Sequence, residues 1–322
     1  MRSVVFACFA VACGAFKPVP VDPQPDAGSG GSFASGGGTT TAAGSSGFAG
    51  SSGFAGSSGF AGSSTASPAP APEPVTVLCA DKVKKTLQAD VKLWRRTLMP
   101  IRKGPIRARM RSSYELLDLP DRFWWGYAPA LDQNVNPDGG PGLGSCTGNA
   151  GVQWRVNEPW NWTGTLDPQD LERLAIQIYS DATHEDPFEG FYPPDDTGSS
   201  PDTVMRVMAR RGMVAEWHTV YTFAGLQREI QKGPCVAGSN WKTNMFYPDR
   251  CGQVEVSGAV EGGHAYLVAG IHYGTKRMLF RNSWGRWGAR TSNGFTGYFW
   301  ITFGGIQKLI DEGADFQCGT PK

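Results

Sequence analysis

Three residues carry the reactive chemistry this sequence can offer, and they occur in the order Cys146, His264, Asn282. Cys146 lies in "GLGSCTGNA" (142–150), where the following "SCTGNAGVQWRVN" is suited to begin a helix at or just after the cysteine. A thiol attacks as the thiolate, so its usual pKa of about 8.5 must be lowered, and a helix N-terminus does this with unpaired N–H groups and the positive end of the macrodipole. Taken alone, Cys146 reads as an inert buried thiol. His264 opens the apolar run "HAYLVAGIHY" behind Gly262 and Gly263, two residues that let another chain come close. Asn282 closes the next run in "RNSWGRWG". A side-chain amide oxygen accepting from one ring N–H fixes the tautomer of an imidazole base, and the indole of Trp284 would shield that bond from water. Each cue has a bland reading: a strand histidine that only hydrogen-bonds, or a turn asparagine. Together they supply a nucleophile, a base and the group that orients the base.

Such residues need elements to hold them. "LDPQDLERLAIQIYSDA" (166–182) predicts a helix with Asp167 as N-cap, Pro168 in the first turn, and Leu171, Leu174, Ala175 and Ile178 on one face. "SSPDTVMRVMARRGMV" repeats the pattern, with Ser200 as cap and Gly212 where a left-handed residue ends the helix. A third helix is expected from about Phe223 to Lys232, stopping at Gly233-Pro234. Beyond it, "CVAGSNW", "HAYLVAGIHY", "RMLFRNSW" and "GYFWITF" are short runs rich in β-branched and aromatic residues, and they read as strands. Helices followed by antiparallel strands predict an α+β fold with a helical lobe and a β-rich lobe, and a cleft between the two is a natural ligand site.

The rest of the chain bounds the function. Its 322 residues carry a formal charge of +1, which points to no polyanionic partner, and no nucleic acid is expected. Residues 1–16 have one early positive charge and an apolar run of about a dozen residues, the pattern of a secretory signal; "AVAC" also reads as a lipoprotein signal in which Cys13 would be lipidated. Residues 17–75 are rich in Gly, Ser, Ala and Pro with three "GFAGSS" hexads, a composition that reads as a disordered tether. The segment 76–113 is basic: eleven Lys or Arg stand between Lys82 and Arg111 against Asp90 alone, and Val83, Leu87, Val91, Trp94 and Leu98 predict an amphipathic helix ending before Pro100. This segment is either a solvated helix packed on the domain or a patch for an anionic cell-wall or membrane surface.

The three reactive residues lie in blocks that resemble those of papain-like cysteine peptidases. "GSC" ending at Cys146, "GGHAYLVAGI" with His264, and "RNSWGRWGARTSNGFTGYFWI" with Asn282 and Trp284 match that family's signature over about residues 115–312, within an expected domain of 114–318. His264 and Asn282 follow the cysteine by 118 and 136 positions. The resemblance implies a two-lobed fold with the cysteine heading the central helix, no cofactor or metal, and a protein or peptide substrate cleaved through a thioester acyl-enzyme. Thr147 replaces the family's usual aromatic residue after the cysteine, a variant that resembles bacterial and phage-borne members. Gly140 stands where the family's oxyanion-hole glutamine is expected, six residues before Cys146. If "NVNPDGGP" (134–141) is an insertion, Gln133 is the displaced counterpart.

Three further expectations follow. Cys79, Cys235, Cys251 and Cys318 form an even remainder, which suggests disulfides; the pairing expected is Cys235 with Cys251, clipping a loop, and Cys79 with Cys318, joining the ends of the domain. The protein is expected to be secreted or surface-tethered, or else virion-associated. Two other functions stay open: a peptidoglycan-directed amidase or peptidase, and a catalytically inactive papain-like binding module. The resemblance also implies a further reading of residues 80–113, as a short pro-segment across the cleft.

Overall fold

The computed structural model describes residues 77–79, 88–99, 122–126, 130–160, 162–291 and 294–322. The expected signal (1–16), the tether (17–75) and most of the basic segment lie outside the described residues. Within the basic segment, α1 (Gln88–Arg96) is the amphipathic helix. Its Val91 is fully buried, and Trp94 packs on the same apolar cluster, while Lys92, Arg95 and Arg96 stay exposed.

Three helices form one layer. α2 (Cys146–Val156) is buried on nearly every side, as a central helix must be. α3 (Pro168–Thr183) begins as the sequence predicts, with the Asp167 carboxylate accepting from the Gln169 and Asp170 N–H groups. α4 (Pro201–Arg210) is capped by the Ser200 hydroxyl, and Gly212 beyond it has φ +72°. A shorter α5 (Phe223–Glu229) carries Thr222 as its cap.

Against this layer stands an antiparallel sheet. It is built from β2 (Arg122–Trp124), β3 (Val214–Val220), β4 (Cys235–Lys242), β5 (Val260–His272), β6 (Arg277–Arg281), β8 (Tyr298–Thr302) and β9 (Asp315–Pro321). The strands run β3-β9-β4-β5-β6-β8, with β2 also paired to β5. A separate pair joins β1 (Val77–Leu78) to β7 (Arg290–Thr291). α6 (Phe303–Asp311) follows β8 directly, and a short 3₁₀ turn covers Thr243–Phe246.

The long apolar run of β5 has a simple cause. Successive side chains point to opposite faces, and both faces are covered. Ala265, Leu267 and Ala269 join the cluster under α2, α3 and α4. Tyr266, Val268 and Ile271 join a second cluster with Trp241, Phe280, Phe299 and Ile306 on the other face. The α+β organisation with two cores is therefore the one the sequence predicts. The strands β3 and β9 were not expected, because β3 is an edge strand with little apolar patterning and exists by pairing with β9.

The four cysteines are bridged, but not as expected. The disulfides are Cys235–Cys318 and Cys79–Cys251, in place of Cys235–Cys251 and Cys79–Cys318. The reason is register: Cys235 on β4 lies directly opposite Cys318 on β9. Pairing of β1 with β7 likewise brings Cys79 to the side of the domain where Gly252 packs against Ala289.

Candidate active site

Cys146 is the first residue of α2, and Ser145 before it makes no side-chain cap. The Ser145 hydroxyl instead donates to Asn149 Oδ1 at 2.9 Å. Cys146 is fully buried and outside both disulfides. Its sulfur accepts from the Ala265 N–H at 3.4 Å, which seats it against the strand residue that follows His264.

His264 and Asn282 meet across the β5–β6 ladder, with His264 Nε2 and Asn282 Oδ1 2.7 Å apart. The Ser283 N–H also donates to Asn282 Oδ1, at 2.8 Å, so this atom is an acceptor and His264 Nε2 must be the donor. In the neutral ring the lone pair then belongs to Nδ1, which is buried and has no hydrogen-bond partner among the described residues. Trp284 stacks on the imidazole at 4.6 Å and 25°, and Trp241 meets it edge-on at 5.0 Å. Burial pushes His264 down to about 4, against the smaller opposing effect of the Asn282 bond.

Gln133 is 2% exposed. Ser283 Oγ donates to its Oε1 at 2.6 Å, which leaves the amide Nε2 as a donor of fixed direction. Its backbone N–H donates to Ser283 O, and the Leu143 N–H donates to Gln133 O, both at 2.9 Å. Residues 134–141 therefore leave and return at one point, two residues before Ser145. A second link ties this strand to the cysteine helix: Glu172 on α3 accepts from Asn149 Nδ2 at 2.5 Å and from the Asp132 N–H at 3.0 Å. Burial raises Glu172 to about 7, with the Asp132 charge a lesser contributor in the same direction.

The chain is similar, at low identity, to solved structures of cysteine proteases. Xylellain, a cysteine protease from Xylella fastidiosa, is 17% identical with a TM-score of 0.46, over 76% of this chain and 97% of that one. Procathepsin B from Trypanosoma congolense is 17% identical with a TM-score of 0.49, over 73% and 88%. A cysteine protease of Carica candamarcensis in complex with E-64 is 16% identical with a TM-score of 0.40, over 63% and 99%. No family model and no curated protein sequence matches the chain.

Residues 97–99 lie directly against these side chains. Gln133 Nε2 donates to the Thr97 carbonyl at 2.9 Å. Two residues on, Met99 exchanges both backbone hydrogen bonds with Gly263, the residue before His264, at 2.6 and 2.7 Å. A Cβ on Gly262 would stand 2.8 Å from both Leu98 Cβ and the Met99 carbonyl oxygen, so the glycines before His264 admit this strap. Upstream, Trp94 stacks on Trp284 at 5.2 Å with the rings 3° from parallel. The residues missed by motif reading are thus Thr97, Met99, Ser283 and Glu172. The "GGH" glycines and the pro-segment expectation for residues 80–113 were the signs of a close-packed partner.

Proposed function

We propose that the chain is a papain-like cysteine peptidase that hydrolyses peptide bonds with Cys146, His264, Asn282 and Gln133, and that residues 88–99 hold it latent. The observation that carries this reading is the bond set at Asn282 Oδ1: with two donors on that oxygen, the basic nitrogen of His264 is Nδ1, buried and without a hydrogen-bond partner among the described residues, on the histidine that adjoins Ala265 and the sulfur.

In the proposed cycle, His264 Nδ1 takes the Cys146 proton, and the sulfur attacks an amide carbonyl. The carbonyl oxygen becomes an anion held by Gln133 Nε2 and the Cys146 N–H. Collapse breaks the C–N bond, and His264 returns the proton to the departing amine while Asn282 keeps the ring oriented. Water, deprotonated by His264, then opens the thioester and restores the thiol. Gln133 already donates to a peptide carbonyl, that of Thr97, and this supports the oxyanion role for it. The same contact supports latency, since Thr97–Met99 occupies the place a substrate carbonyl would take.

Two disulfides fit an oxidising compartment, which favours the secreted or surface-tethered reading. The cell-wall variant of the activity rests on the basic segment. Of its cations in the described residues, Arg95 is paired with Glu261, and Lys92 and Arg96 are the other exposed ones on α1. The test is hydrolysis of a quenched peptide pool. Cys146→Ala and His264→Ala should abolish it, and Gln133→Ala should lower kcat by about 10² or more with a smaller change in KM. Undiminished hydrolysis in Cys146→Ala would refute the assignment.

A further inference from the structure

The strap rests on a group of aromatic and acidic side chains that begins at Trp284, the indole stacked on His264. Trp94 lies parallel to Trp284 and also to Phe246, 6.4 Å away at 8°. Phe246 and Trp284 are themselves stacked at 5.7 Å and 8°, so they form one continuous aromatic shelf. Beside the shelf, the Glu261 carboxylate binds Arg95 Nη2 at 2.9 Å and accepts from Thr243 Oγ1 at 2.8 Å. The Arg95 guanidinium also lies over the Phe246 ring at 5.7 Å. Glu261 is the more buried partner, with its side chain 19% exposed against 37% for Arg95.

We propose that the groove formed by Trp284, Phe246 and Glu261 is a substrate subsite for an aromatic side chain next to an arginine or lysine. This rests on the peptidase reading, and the strap is an internal occupant whose chemistry reports what the groove binds. Trp284 covers His264, the group that hands its proton to the departing amine, so the groove serves the leaving-group side of the bond. The shelf selects a flat ring because stacking adds to simple burial, and a planar guanidinium satisfies Glu261 and the Phe246 face together. A substrate with neither group would leave the Glu261 carboxylate half-buried without a cation. Such a substrate would also displace the strap without replacing its contacts.

The experiment uses the full chain carrying Trp94→Ala and Arg95→Ala, which removes the internal occupant. Quenched peptides differ only on the leaving side: Trp-Arg, Arg-Trp, Trp-Ala, Ala-Arg and Ala-Ala. Trp should raise kcat/KM about tenfold over Ala, and Arg about fivefold. Adding Glu261→Gln should reduce the Arg-to-Ala ratio to about one. Cleavage without preference for Trp or Arg, or an Arg preference unchanged by Glu261→Gln, overturns the subsite. Titration of the same peptides into the Cys146→Ala form of this variant separates the two readings. Selective binding with no turnover by the Trp94→Ala, Arg95→Ala chain with Cys146 intact keeps the subsite and rejects the peptidase; neither binding nor turnover rejects both.

Discussion

At the scale of single residues, two buried titratable groups flank the cysteine helix and pull stability in opposite directions. His264 is held at about 4, below its ordinary 6.5, so the unfolded chain binds its proton first and stability is lost as pH falls from 6.5 toward 4. Glu172 is held at about 7, above its ordinary 4.5, so the folded chain binds its proton first and stability is gained as pH falls from 7 to 4.5. Each slope is at most about 1.4 kcal/mol per pH unit, and they oppose one another between about 6.5 and 4.5. Glu172→Gln should therefore make melting temperature fall more steeply toward acid than in the parent, and His264→Gln should make it fall less or rise. Matching pH profiles for parent and both variants would show that neither group titrates as its burial requires. Cys146, His264 and Asn282 stand out as candidates in the sequence because their flanking residues are distinctive. Glu172 was not, because a glutamate on an amphipathic helix reads as solvated until its partners from two other segments are known.

At the scale of elements, the capped helices and the aromatic strands could be read directly, since their signals are local: Asp167 and Ser200 as caps, and period-two burial through β5. What could not be read is pairing between distant segments. The strap depends on Met99 meeting Gly263 and on Trp94 meeting Trp284, contacts that join residues more than 160 positions apart. Gly262 offers a way to break that contact from the domain side. The added methyl of Gly262→Ala would press on Leu98 and the Met99 carbonyl, both part of the strap. Alkylation of Cys146 should then proceed at least about tenfold faster than in the parent, as it should in Trp94→Ala, where the stacking is lost. Unchanged rates in both variants would mean that the strap does not limit access to the sulfur.

At the scale of the whole molecule, the two disulfides have different tasks. Cys235–Cys318 staples neighbouring strands inside the core, where both residues are at most 2% exposed. Cys79–Cys251 ties the exposed start of the strap segment to the domain across 172 positions. Mild thiol treatment should open the Cys79–Cys251 bridge first. Replacing Cys235 and Cys318 by Ala should lower stability by about 2 to 4 kcal/mol, whereas Cys79→Ser with Cys251→Ser should chiefly loosen the strap. Equal effects of the two replacements on stability and on Cys146 access would contradict this division. Four bridging cysteines could be counted from sequence, but their partners are fixed by strand register, which composition does not encode. The central claim, a thiol nucleophile paired with His264, is tested most directly by alkylating the full-length Gly262→Ala chain with a peptidyl epoxide between about pH 5 and 8 and locating the adduct by mass spectrometry. The account predicts one adduct, on Cys146, that disappears when His264→Ala is added; no adduct at any pH in that range, or an adduct that persists without His264, would contradict it.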